Sequence, residues 1–145
     1  MRLVACAASV LALTFAAGCG DSVADVEPPT RQPDGTASVE EFAEYAESVD
    51  EDWERSPVMA AGEFLRLDER TAAKTTIEGV ASAEGTGPEV VTVTLDGLLD
   101  DSVRAERWIL TFVPEDEIYR LTEASWAQRC QPERGHQDFS TEACV

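Results

Sequence analysis

An α+β fold follows from the order in which the chain changes texture. Apolar residues at helical spacing come first, between about residues 39 and 65. β-branched and alternating runs follow from 74 to 129, and turn chemistry separates them. From residue 38 onward there are 108 residues, enough for one hydrophobic core and too few for two. One or two N-terminal helices packed on a four-stranded antiparallel meander are therefore expected. The expected organisation is a signal peptide over 1–18, a lipid anchor and disordered Pro-rich tether over 19–37, and a single domain over 38–145.

The leader comes first because it sets the compartment. Met1-Arg2 carries one positive charge, and Leu3 to Ala17 is acid-free and mostly apolar. Small residues follow, which is the layout of a secretory signal. The apolar stretch is shorter than the ~20 residues a spanning helix needs. The run Phe15-Ala16-Ala17-Gly18-Cys19 resembles a bacterial lipobox, with Ala16 where the lipobox usually carries leucine. That resemblance implies acylation at Cys19 and a cell-membrane protein anchored on the extracytoplasmic face; ordinary secretion is the alternative. From Gly20 to Ala37 the chain is polar and acidic, holds Pro28, Pro29 and Pro33, and has no apolar period, so it reads as a tether.

Removing residues 1–18 leaves ten basic against twenty-nine acidic residues, a formal charge of −19. Nucleic-acid phosphates and anionic headgroups repel such a chain, so nucleic acid is excluded as a partner and any charged protein or small-ligand partner is expected to be cationic. The dominance of arginine over the single Lys74, with no asparagine, reflects a G+C-rich coding sequence.

Ser38-Val39-Glu40-Glu41 fits a capping box, and Phe42, Ala46, Val49 and Trp53 follow at helical spacing, predicting one helix over about 39–55 with a solvated acidic face. Asp50, Asp52 and Glu54 alternate as in a calcium loop, but Arg55 and Ala61 stand where glycine and the bidentate glutamate belong, so no calcium site is expected. Ser56-Pro57 starts a second, brief helix with Val58, Ala61, Phe64 and Leu65 on its apolar stripe.

Strand texture takes over at Lys74 to Ser82. Glu84 to Pro88 is turn chemistry, and Val90 to Leu95 places Val91, Val93 and Leu95 on one face, so a hairpin is expected. Val103 to Val113 follows, and within it Trp108 to Val113 is apolar on both faces, so this strand belongs at the centre of the sheet. Pro114 to Glu117 turns the chain into a last strand over 118–129. Trp53, Trp108, Tyr119 and Trp126 are assigned to packing.

In an exported chain, Cys130 and Cys144, separated by thirteen residues, are expected to pair. A reactive thiolate or metal pair is the rival. Zinc needs three or four ligands and the chain has one histidine, so neither metal nor cofactor is expected. The bridged segment holds the candidate binding residues Arg134, His136 and Asp138. A guanidinium and an imidazole there can form an anion-binding or acid–base pair, or can hydrogen-bond the loop's own backbone with Arg134 paired to Asp138. The alternative to a non-catalytic binding module is a small pocket enzyme using His136 with Asp100 or Asp101. Adjacent acids point in different directions, which favours a solvated loop for that pair. No phosphate-binding glycine loop, Gly-x-Ser-x-Gly elbow or His-Glu-x-x-His is present, and no catalytic residue is assigned.

Asp100-Asp101-Ser102-Val103-Arg104, then Arg129-Cys130, Pro132, Arg134-Gly135-His136, Phe139 and Cys144, resembles a family of uncharacterised secreted lipoproteins of G+C-rich bacteria over about residues 56–145. The family usually carries glycine where this chain has Glu133. The resemblance implies location and a disulfide, and no mechanism. The helix-then-sheet order is also similar to nuclear-transport-factor-2-like (NTF2-like) and cystatin-like folds, in which helices close over a curved sheet and enclose a pocket; that likeness leaves function open.

Overall fold

A computed structural model describes residues 27–83 and 86–145. The signal peptide, Cys19 and the first part of the tether lie outside the described residues. The fold is α+β. Helix α1 (Glu40–Ser48), a 3₁₀ turn (Asp52–Arg55) and helix α2 (Pro57–Phe64) precede four strands: β1 (Ala72–Val80), β2 (Glu89–Leu98), β3 (Val103–Glu115) and β4 (Ile118–Cys130). The strands form one antiparallel meander in the order β1-β2-β3-β4.

The single helix expected over 39–55 is two pieces. The chain leaves α1 at Val49, whose backbone is extended, and restarts when Glu51 caps the 3₁₀ turn reciprocally with Glu54. A β-branched residue among acids that oppose the helix dipole ends the first piece. The break also brings distant rings together. Tyr45 and Trp53 would stand ~12 Å apart on a continuous helix, but they stack with centroids 5.9 Å apart. The Ser38–Glu41 capping box does not form, because the Ser38 hydroxyl donates to Glu40 instead, at 2.7 Å. The second start holds as expected: the Ser56 hydroxyl accepts from the Met59 amide, and Pro57 opens α2.

Opposed register pairs define two faces. Val91, Val93, Leu95, Trp108, Leu110 and Phe112 point toward the helices and are almost fully buried. Phe64 packs edge-on between Phe42, at 5.3 Å, and Trp108, at 6.4 Å. Each such side chain contributes roughly 1.5–3 kcal/mol through burial. The space between helices and sheet is thus filled by rings. β3 runs inside the sheet as expected, yet its second face is covered unevenly: Ala105 there is buried, while Ile109 is 43% exposed.

The tether reading fails over its second half. Gln32-Pro33-Asp34-Gly35 makes a tight turn, with the Gln32 amide donating to Thr36 O at 2.8 Å and Gly35 at φ 90°. The chain then lies against β4. The Ala37 amide donates to Ala124 O (2.9 Å), and the Trp126 amide donates to Gly35 O (2.8 Å). Arg31 anchors this strap: its guanidinium sits 5.0 Å from the Trp108 ring and 5.1 Å from the Trp126 ring, and it donates to Glu106 at 2.7 Å. Arg70 and the Trp108 indole N–H donate to the same carboxylate oxygen. Burial pushes the Glu106 carboxyl up, but the bonds and charges of Arg31 and Arg70 together outweigh it and hold the group below the usual carboxylate range. The domain therefore begins near residue 30, before the expected boundary at 38.

Candidate functional site

The C-terminal segment folds back on the end of β4 as a closed loop. Cys130 and Cys144 are bridged, with Cα atoms 5.4 Å apart. The Cys130 amide donates to His136 O, and Gln128 and Ser140 exchange both backbone bonds at 2.8 and 2.9 Å. A Cβ on Gly135 would lie 2.8 Å from the Cys130 sulfur, and its φ is +136°, so only glycine fits beneath the bridge. Glu133 has φ 67°, a left-handed conformation that favours glycine.

His136 is half-buried and both ring nitrogens face carbonyls. Nδ1 lies 2.8 Å from Asp138 O, and Nε2 lies 3.0 Å from Glu142 O. A carbonyl only accepts, so both contacts are satisfied only when both nitrogens carry protons. Donation to the Glu142 carbonyl and then to the Asp138 carbonyl raises the imidazole above its ordinary value, against a smaller effect of burial. The ring is a clamp across the loop. Neither Asp100 nor Asp101 hydrogen-bonds it. Asp100 Oδ1 accepts from the Val103 amide at 2.6 Å and the Ser102 amide at 2.8 Å, and these two bonds lower its pKa. That carboxylate holds the turn before β3.

Arg134 and Asp138 are both exposed, and the ion pair expected between them does not form. The sulfurs of Cys130 and Cys144 and a His136 nitrogen come within 4.8 Å of one another, but sulfurs bonded to each other offer no thiolate to a metal. Phe139, which sequence reasoning did not single out as a contact residue, lies under Arg107 at 3.9 Å and Arg129 at 5.3 Å. It pins the loop to the face of the sheet opposite the helices.

A second feature lies further along that face. A groove of about 710 Å³ runs between the strap and strands β3 and β4. Its floor is Ile109, Thr111 and Ser125; Gln32, Thr36 and Ser38 form one wall, and Glu40 and Glu123 border it. A register irregularity between Thr111 and Phe112 leaves Thr122 as an extra residue here, and its hydroxyl donates to Thr111 O at 3.2 Å. The lining holds two carboxylates, several hydroxyls and no basic side chain. The sequence signal for this groove was the Pro-Asp-Gly turn at 33–35, which places the strap wall, together with the alternation that puts Ile109, Thr111, Glu123 and Ser125 on one face. Set against family models, curated proteins and solved structures, the chain matches none.

Proposed function

We propose that this protein is a membrane-tethered extracytoplasmic lipoprotein, acylated at Cys19, that works as a non-catalytic binding module and takes a ligand bearing positive charge in the groove beside the strap. The observation that carries the reading is the groove's lining: carboxylates and hydroxyls around an apolar floor, with no base, at a volume in the range of small-molecule sites. The acidic charge of the chain supports the same ligand sign. The engagement of both His136 nitrogens by carbonyls supports the non-catalytic part, since a general base needs a free nitrogen. The lipobox resemblance supports the anchor.

Spermidine, a small polycation, serves as the probe in an NMR titration of the protein. Saturable shifts confined to Ile109, Thr111, Thr122, Glu123 and Ser125 are expected, with affinity about fivefold weaker in Glu123→Gln. Shifts that never saturate, or that follow every acidic residue on the surface alike, would remove the groove from the proposal. For the anchor, Cys19→Ser is expected to release the protein from membranes, and unchanged retention would overturn that part.

A further inference from the structure

The two edges of the sheet are treated differently. β4 is paired along its outer side by the strap, at Ser125, and by the C-terminal loop, at Gln128. β1 pairs only with β2 among the described residues, and seven of its nine residues are exposed. We propose that β1 pairs antiparallel with β1 of a second copy of this chain, in a register centred on Thr76, so that two four-stranded sheets join into one across a two-fold axis.

The sequence of β1 is self-complementary in that register. Its only charges are Lys74 and Glu78, two residues either side of Thr76. Centring on Thr76 sets Lys74 of each copy opposite Glu78 of the other, giving two cross-strand ion pairs, while Thr75 meets Ile77 and Ala72 meets Val80. Opposed residues share a parity, so each keeps its own face of the joined sheet. Centring on Lys74 or Glu78 instead would oppose like charges, and centring on Thr75 or Ile77 would leave both charges without their pair.

Charge distribution favours this edge over any other. The whole chain carries −18, yet residues 56–80, which include α2 and β1, hold four acids and three bases. The acidic helix α1 stands toward β4, where Glu47 pairs with Arg120 at 3.0 Å. Two copies meeting at β1 therefore keep their strongest like charges apart. The same border exposes Val58 (41%), Met59 (54%), Ile77 (38%) and Val80 (67%), four of the seven large apolar side chains exposed among the described residues. Val58 reaches over the strand, its Cγ2 lying 3.5 Å from where a Cβ on Gly79 would stand.

A lysine on an edge strand also serves in many proteins to block pairing. The two roles predict opposite results, which makes the test decisive. The full chain, expressed for export with Cys6→Ser and Cys19→Ser, receives a single new thiol. Under mild oxidation Thr76→Cys is expected to form a disulfide dimer at least tenfold faster than Lys74→Cys, because the two 74 positions lie ~14 Å apart in this register. In sedimentation, Lys74→Glu and Glu78→Lys are each expected to weaken the dimer roughly tenfold, and the double swap to restore it to within about threefold. Equal cross-linking at 74 and 76, a monomer unchanged by any charge variant, or tighter association in Lys74→Glu would each overturn the proposal. The test involves neither the lipid anchor nor the groove, so it stands or falls apart from them.

Discussion

β4 and β1 are edges of the same sheet, yet the chain commits the strap, the C-terminal loop and the bridge to one of them. At β4 the strap and the C-terminal loop occupy backbone groups between Ala124 and Cys130 that an edge would otherwise offer, and the Cys130–Cys144 link holds the loop in place. At β1 a nine-residue strand lies open, nearly neutral and bordered by apolar side chains. An unpaired edge is a template for another strand, so the difference teaches which side of the domain is closed to partners and which is open.

Removing contacts at the β4 side should weaken the fold, and removing side chains at β1 should not. The largest effect is expected for Cys130→Ser with Cys144→Ser. Loss of a bridge closing a fourteen-residue separation should cost about 3 kcal/mol in urea unfolding. A cost below about 0.5 kcal/mol would mean the backbone pairing seals that edge unaided. Arg31→Ala comes next at about 2 kcal/mol, because it removes the contact with two indoles and leaves Arg70 to balance the buried Glu106. Amide exchange at Ala37 and Trp126 should accelerate in this variant; slow exchange at both would show the strap holding without its arginine. The folded pKa of Glu106 lies below its ordinary 4.5. Its contribution is therefore present above that value and lost as pH falls through the depressed one, so the cost of Arg31→Ala should shrink on acidification.

His136 works in the opposite direction. Its folded pKa is raised above 6.5, so the clamp stabilises fully below that value and is lost as pH rises through the folded one. His136→Gln should differ from the parent more at about pH 5.5 than at about pH 9. A pH-independent difference would mean the ring acts by shape alone. Glu133→Gly should add about 0.5 kcal/mol of stability by relieving a left-handed residue, a gain reduced by glycine's own entropy. Smallest of all, Lys74→Ala should leave the unfolding free energy of the isolated subunit within about 0.5 kcal/mol of the parent.

Much of this was legible in the chain. Alternation at Val91, Val93 and Leu95 marked the buried face of β2, Ser56-Pro57 marked the start of α2, and two cysteines in a chain expected to be exported pointed to the bridge, because each signal is local or depends on composition alone. The strap was hidden. Its docking rests on Arg31 meeting Glu106, 75 residues away, and on two indoles that come together only after β3 and β4 pair. Proline and acid content therefore outweighed the Pro-Asp-Gly turn that was also present. The break after α1 was hidden for a related reason: the gain from stacking Trp53 on Tyr45 belongs to the tertiary structure. The groove could be read only in part, since one wall is strand alternation and the other is the strap.

The position of Arg31 between Trp108 and Trp126 gives the protein an intrinsic optical reporter. Lifting the N-terminal segment withdraws a cation from two of the chain's three indoles at once. Their emission can then follow docking and release in real time, with no dye attached and no change to the polypeptide.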